Sequence, residues 1–209
     1  MIVLGLGISR KETKKIHNLL NSYDKFNFHF ESDLKKISWK NSENIVVDRI
    51  EKLEKSLYDN TKSDKDFTVT GDIGFYFLPY LELIINNFPY LKIVSTKKSK
   101  KKTFTDVMND IETNNTLLTR LFMFKKKYKN HWMKHDGSSW EKDYILDKCY
   151  PKFDTLNLED SINKYIDMYI SDLRQLKKKY PQNIKIFFSD ELDSNYGKKK
   201  LLSFIGYNS

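Results

Sequence analysis

Residues 67–102 hold two features that could do chemistry, a carboxylate next to a strand pattern and a dense group of amines. Asp72 follows a strand pattern at residues 67–70. Five lysines fall within residues 97–102, directly after a second strand pattern at residues 91–96. A helical run separates the two patterns, so the strands are expected to be parallel neighbours whose carboxyl ends share one sheet edge. A carboxylate and several ammonium groups at such an edge predict a site for an anionic ligand, with an acid or a base beside it.

Both features also have a purely structural interpretation, which the sequence leaves open. A run of lysines is often a solvated loop, and Asp72 is equally suited to capping the turn that follows it. The position at the carboxyl edge of the sheet favours the functional interpretation.

A second candidate site lies at residues 5–11, GLGISRK. It joins a short apolar strand pattern at residues 2–4 to a helix predicted over residues 11–22. A strand, a glycine turn and a helix together make a phosphate-binding geometry, because the helix N-terminus presents free N–H groups and a positive dipole end.

The loop matches no single phosphate-binding motif. Gly5 and Lys11 are spaced as in a Walker A loop, but Arg10 stands at the second glycine and Glu12 at the Ser/Thr position. Gly5 and Gly7 fit a dinucleotide fingerprint, in which Arg10 again replaces a glycine. An ordinary tight turn between strand and helix stays open as the alternative.

The rest of the chain alternates strand and helix patterns. Strand patterns occupy residues 2–4, 26–30, 67–70, 91–96 and 184–188, and helix patterns occupy residues 11–22, 45–58, 80–88, 103–129, 157–180 and 198–205. Asn157 is suited to capping its helix, and Gly206 to ending the last one. The alternation predicts one α/β domain over residues 1–209, a doubly wound parallel sheet flanked by helices.

Residues 130–154 are the least regular part of the chain. Their Trp, His, Gly and Pro content predicts an ordered insertion, a lid or an acceptor-binding segment. His131 and His135 have a metal-ligand spacing, but no HExxH pattern surrounds them and Gly137 interrupts the segment, so no metal site is predicted.

The bulk composition narrows the functional classes. The net charge of +9 favours a phosphate-bearing partner, with nucleotide, nucleic acid and membrane surface all open. No apolar run reaches about 18 residues, so no membrane span is expected. The single cysteine, Cys149, excludes an internal disulfide framework and fits a reducing compartment, so a cytoplasmic location is expected.

Seven short sequence blocks stand in order along the chain: TGD at residues 70–72, FLP at 77–79, FPYLKIV at 88–94, NHW at 130–132, DKCYPKF at 147–153, YPQNI at 180–184 and LSFIG at 202–206. In this order they resemble the sulfotransferase family, in particular its bacterial and phage members. Together they extend over most of the chain. The resemblance implies a P-loop NTPase-like fold.

The resemblance also implies a reaction. A sulfuryl group would pass from 3′-phosphoadenosine-5′-phosphosulfate (PAPS) to a hydroxyl or amine of a glycan, a lipid or a small metabolite, without a metal. Asp72 stands where the family has its catalytic base. Lys98 stands where the family has the Arg that binds the 3′-phosphate of PAPS, and residues 5–11 stand at the loop for the 5′-phosphosulfate.

The donor-binding residues implied by the resemblance are Gly5, Gly7, Ser9, Arg10, Lys11, Lys98 and Thr105. Arg10 and Lys11 are also expected to stabilise the charge that develops during transfer. The loop departs from the family pattern, since Ile8 replaces a basic residue and Arg10 and Lys11 replace Gly-Thr. Asp106, next to Thr105, stands at the position of a phosphate-binding serine.

Two alternatives to a sulfotransferase stay open. The altered loop is compatible with a catalytically degenerate nucleotide-binding or interaction protein of the same fold. The lysine run and the aromatic content are compatible with a nucleic-acid-binding module.

Overall fold

The structure is a computed structural model, and it describes residues 1–30, 37, 39, 43–60, 68–114, 133–134, 151 and 153–207. In this part of the chain the strands are β1 Ile2–Leu6, β2 Phe26–Phe30, β3 Val69–Ile73, β4 Lys92–Lys97, β5 Met133–Lys134, β6 Asp154–Thr155 and β7 Ile184–Phe188. The α-helices are α1 Arg10–Leu20, α2 Glu43–Asn60, α3 Leu81–Asn87, α4 Lys100–Asn114, α5 Leu158–Lys179 and α6 Asn195–Phe204. Two 3₁₀ turns, Phe75–Tyr80 and Glu191–Asp193, complete the elements of these residues.

Five of the strands form one parallel sheet in the order β2-β3-β1-β4-β7, and β5 and β6 form a separate short parallel pair. The predicted α/β fold, a parallel sheet flanked by helices, is therefore confirmed. The chain leaves β1 towards β2 on one side and leaves β4 towards β7 on the other side. The carboxyl ends of β1 and β4 thus form the topological switch point, where such sheets bind ligands.

Helices cover both faces of the sheet because its central strand is apolar on both faces. Leu4 of β1 belongs to the core cluster that contains Ile50 of α2 and Ile162 of α5. Val3 belongs to the other cluster, which contains Ile16 of α1 and Leu201 of α6. The helix α1 that follows the loop and the helix α2 therefore lie on opposite faces.

The prediction that the strand of residues 67–70 ends before Asp72 is wrong. Strand β3 runs through Gly71 and Asp72 to Ile73. A Cβ at residue 71 would lie 1.8 Å from the carbonyl oxygen of Val3 in β1. The glycine therefore allows two strands to approach closely rather than turning the chain.

The lysine run is partly helical rather than a loop. Lys97 ends β4, and α4 begins at Lys100, three residues earlier than predicted. The hydroxyl oxygen of Ser99 accepts the N–H of Lys102 at 3.4 Å, so Ser99 caps the helix. The predicted extension of this helix beyond residue 114 lies outside the described residues.

Other local predictions are confirmed. Asn157 caps α5, with its side-chain oxygen accepting the N–H of Asp160 at 2.8 Å. Gly206 follows α6 with a φ of 71°, the left-handed conformation expected at a helix end. No helix in the described ranges has the length and apolarity needed to cross a bilayer.

Candidate anion-binding site

The loop of residues 5–11 is closed by a reciprocal pair of hydrogen bonds. Ser9 is the N-cap of α1, and its Oγ accepts the N–H of Glu12 at 3.4 Å. The Glu12 carboxylate accepts the N–H of Ser9 at 3.4 Å in return. The S-x-x-E spacing is a capping box, a signal that was present in the sequence and was missed there. The hydroxyl oxygen of Ser9 therefore already accepts a hydrogen bond from the backbone of its own helix.

The Glu12 side chain fills the inside of this loop. The residue is 0% exposed, and its Oε1 has no hydrogen-bond partner among the described residues. Burial raises the pKa of Glu12 to about 7, although the charge of Lys98 and the backbone at Ser9 and Ile8 oppose the rise. A Cβ at residue 7 would lie 2.7 Å from the Glu12 Cβ and 2.9 Å from the Thr13 nitrogen, so Gly7 allows the first turn of α1 to pack closely against the loop.

Asp106 is a second carboxylate near the start of α1, and it pairs with Lys11 and Lys98, two of the residues predicted to bind the donor. Asp106 of α4 accepts hydrogen bonds from Lys11 at 3.1 Å and from Lys98 at 2.5 Å. Burial alone would raise the pKa of Asp106, but the two lysines outweigh burial and hold it below its usual value. The structure thus brings Lys11 and Lys98 together around an internal anion.

A third carboxylate lies near the start of α1. Burial raises the pKa of Asp110, while the backbone N–H and the charge of Arg10 oppose the rise. Asp110 thus lies beside Arg10, the first residue of the helix. Three carboxylates of this chain surround a helix N-terminus, which is the end that attracts negative charge.

A cavity of about 960 Å³ opens beside this helix start. Its lining includes six lysines from α1, from the end of β4 and from α4, and we call it the lysine cavity; they are Lys11, Lys14, Lys15, Lys98, Lys101 and Lys102. Asp106, Ser189 and Asp190 line it too. Thr105 also faces the cavity, with its hydroxyl donating to the carbonyl of Lys101 at 3.1 Å.

The lysines of the cavity differ in how far their charge is balanced. Lys15 donates to the carbonyl of Ser189 at 2.6 Å and to Asp193 at 2.8 Å. Lys14 and Lys101 form no ion pair with any residue of the described ranges. The cavity therefore keeps an excess of positive charge beside the carboxyl ends of β4 and β7.

Asp72 lies elsewhere, because its side chain points to the α2 face of the sheet. It is 0% exposed, and its Oδ2 accepts a hydrogen bond from Arg49 of α2 at 3.0 Å. The same Arg49 nitrogen donates to the hydroxyl of Tyr76 at 3.3 Å. Burial raises the pKa of Asp72 although Arg49 opposes the rise, and its Oδ1 has no hydrogen-bond partner among the described residues. Asp72 is not among the described residues that line the lysine cavity.

Arg49 was not identified from the sequence as a site residue. It lies on the apolar face of α2, beside Val46, Ile50 and Leu53, and it is buried. It also lines a smaller cavity of about 410 Å³, whose other polar residues include His29, Asp48 and Lys52. An arginine on an otherwise apolar helix face was the available signal, since a buried cation requires a partner.

No group of three His, Cys, Asp or Glu side chains within the described residues is arranged to hold a metal ion. His131, His135 and Cys149 lie outside those residues. Most of the 130–154 insertion lies outside them as well.

No family model and no curated protein matches this sequence. Among solved structures, the chain is similar to a sulfotransferase from Alicyclobacillus acidocaldarius, with a TM-score of 0.55 and 11% identity over 99% of this chain and 81% of that chain. It also aligns with a shikimate kinase from Bacteroides thetaiotaomicron at a TM-score of 0.39 and 12% identity, over 99% of this chain and 98% of that chain. The first similarity supports the P-loop-like α/β fold.

Proposed function

We propose that the protein binds a phosphorylated adenosine nucleotide of the PAPS type in the lysine cavity. The observation that carries this proposal is the position of six lysines around about 960 Å³ at the carboxyl edge of the sheet, between α1, α4 and the residues that follow β4 and β7. Open parallel sheets bind their ligands at this place, and cavities of this size hold small-molecule ligands.

The contacts in this proposal follow from charge. Lys11 and Lys98 bind an anionic group of the ligand, in exchange for part of their bonding to Asp106. Arg10 adds a cation at the loop and Thr105 adds a hydroxyl, while Gly5, Gly7 and Ser9 shape the loop backbone. Lysine ammonium groups bind phosphate as point charges, so this arrangement tolerates the loss of the family's Gly-Thr pair.

Calorimetric titration with adenosine 3′,5′-bisphosphate tests the proposal, with adenosine as the matched ligand without phosphates. We expect the bisphosphate to bind and to raise the melting temperature, since a ligand that binds the native state stabilises it. We expect adenosine to bind far more weakly. Equal binding of both ligands, or of neither, would contradict the proposal.

Sulfuryl transfer is the second candidate function, on the same nucleotide site. It is favoured by the position of Asp72 in β3, next to β1 in the sheet, and by its raised pKa. In this reaction an acceptor hydroxyl or amine attacks the sulfur of PAPS, and its proton passes to Asp72. The bond from sulfur to the bridging oxygen breaks, and adenosine 3′,5′-bisphosphate leaves with the bonding electrons.

To act as this base, Asp72 must give up part of its bonding to Arg49. Arg49 also lines the 410 Å³ cavity, and we therefore propose that the acceptor enters through this cavity. Radiolabelled PAPS and a panel of glycan, lipid and small-molecule acceptors would detect transfer. We expect Asp72→Asn to abolish transfer and to keep nucleotide binding, and Asp59→Asn, on the exposed side of α2 and outside this cavity, to keep both. Undiminished transfer by Asp72→Asn refutes the base, and nucleotide binding without transfer favours the non-catalytic protein.

A further inference from the structure

The backbone groups that would bind a ligand's phosphate at the start of α1 already bind an anion. In phosphate-binding loops the free N–H groups before the helix point at the ligand. In this chain the N–H of Ser9 points at Glu12 Oε2, and the second oxygen of the same carboxylate is buried without a hydrogen-bond partner within the described residues. A buried oxygen without a hydrogen-bond partner is unfavourable. The packing of the loop, and not a full set of hydrogen bonds, therefore keeps the carboxylate in this position.

Charged and titratable groups lie around the loop on each neighbouring element, and two of them act directly on Glu12. Lys98 follows β4 and attracts the carboxylate, and Asp106 of α4 repels it. From α5, the hydroxyl of Tyr165 donates to the carbonyl of Ile8 at 3.2 Å and fixes the loop. Arg10 and Lys11 belong to α1 itself, and Asp110 of α4 lies beside Arg10.

We propose that Glu12 is an internal competitor for the anion site, so that a phosphate or sulfonate group binds at the loop only when the Glu12 carboxylate is neutral or displaced. The inference rests on the proposed nucleotide site and concerns the regulation of that site. A charged Glu12 both occupies the N–H of Ser9 and repels an incoming anion, and protonation removes the repulsion.

The competition depends on pH near neutrality. Because the pKa of Glu12 is raised to about 7, the carboxyl group is neutral below that value and ionised above it. Anion affinity is therefore expected to fall as the pH rises through this range. Between about pH 6 and pH 8 the neutral fraction of such a group falls about tenfold.

Inorganic sulfate is the probe of choice because it stays fully ionised over this pH range. Wild type and Glu12→Gln are titrated with sulfate at both pH values, with Glu82→Gln on the exposed side of α3 as the matched control. Glutamine also serves at this position of a capping box, so the loop is expected to fold. We expect the sulfate affinity of the wild type and of Glu82→Gln to fall about tenfold from pH 6 to pH 8. Glu12→Gln should keep at pH 8 the affinity that the wild type has at pH 6.

The outcomes separate this inference from the proposed function. Sulfate binding with the same pH dependence in wild type and Glu12→Gln overturns the competitor and leaves the anion site intact. No sulfate binding by any variant at either pH overturns both. The carboxyl carbon resonance of Glu12, followed by NMR, provides a test that needs only the wild type. Its titration midpoint should rise when sulfate is added, because protonation of Glu12 and sulfate binding favour each other reciprocally. An unchanged midpoint under saturating sulfate contradicts the competitor even where the variant does not fold.

Discussion

At the residue scale, Glu12 couples the stability of the protein to pH. The folded state holds the Glu12 proton up to about pH 7, whereas the unfolded chain releases it near the ordinary value of 4.5. The contribution of Glu12 to the free energy of unfolding is therefore fully present below its ordinary pKa and is lost as the pH rises through its folded-state pKa. A neutral residue of the same shape avoids this loss.

We therefore expect Glu12→Gln to raise the free energy of unfolding at pH 8 by about 3 kcal/mol, since each pKa unit corresponds to about 1.4 kcal/mol. Urea unfolding at a series of pH values measures the effect. The difference between variant and wild type should shrink below pH 7 and vanish near pH 4. A difference that does not change with pH would show that Glu12 is not titrating in the folded protein.

The buried pair of Asp72 and Arg49 gives a second prediction at this scale. Arg49→Met leaves a buried carboxylate without its cation, and such losses amount to about 3–5 kcal/mol. Lys100→Met is the matched control, because its pair with Asp167 is exposed and worth at most about 1 kcal/mol. Denaturant unfolding of both variants checks the expectation. Equal effects would mean that the Asp72 pair does not contribute as a buried pair.

The contacts of single residues were only partly predictable from the sequence. The capping box of Ser9 and Glu12 is a local pattern and could have been recognised. The pairing of Asp72 with Arg49 could not, because the two residues meet only once β3 and α2 are packed together. The same holds for Lys11 and Asp106, which lie on different helices.

At the element scale, the close approach of β1 and β3 depends on Gly71. Gly71→Ala would place a methyl group 1.8 Å from the carbonyl oxygen of Val3, so one strand must move. We expect a loss of about 3 kcal/mol or more in the free energy of unfolding. Gly206→Ala is the comparison, since a Cβ at residue 206 would make only an ordinary van der Waals contact with Met1 at 3.7 Å; the φ of 71° should cost only about 1 kcal/mol. Thermal and urea unfolding rank the two, and an equal or smaller loss at residue 71 would contradict the steric argument.

Elements were predictable where composition and periodicity agree. Strand β2 alternates Phe with polar residues, and it was predicted with its bounds. Strand β3 was placed too early because Gly and Asp are uncommon inside strands. In this protein Gly71 is required by a neighbouring backbone and Asp72 by a buried arginine, and neither requirement is visible in the local sequence.

At the scale of the whole molecule, the position of the lysines matters more than the net charge of +9. Lys98→Ala and Lys178→Ala remove the same charge, but Lys98 lines the lysine cavity and Lys178 is exposed on α5. We expect Lys98→Ala to weaken the binding of adenosine 3′,5′-bisphosphate about tenfold or more, the value of one charge-assisted hydrogen bond. Lys178→Ala should leave it unchanged.

Calorimetric titrations at several salt concentrations measure this difference. Equal weakening by both substitutions would indicate attraction by the overall charge alone. Tighter binding of DNA than of the nucleotide, with a much steeper salt dependence, would favour the nucleic-acid-binding alternative.

The central position of β1 also determines when the sheet can assemble during synthesis. The partners of Ile2 and Leu4 in the sheet are Thr70 and Ile93, so both neighbours of β1 leave the ribosome long after it. Until then the apolar segment IVLGL has no strand to pair with, and long-range parallel pairing is slow to form. Nascent chains that stop before β4 should therefore be prone to aggregation and dependent on chaperones, whereas chains that extend past β7 can complete the core.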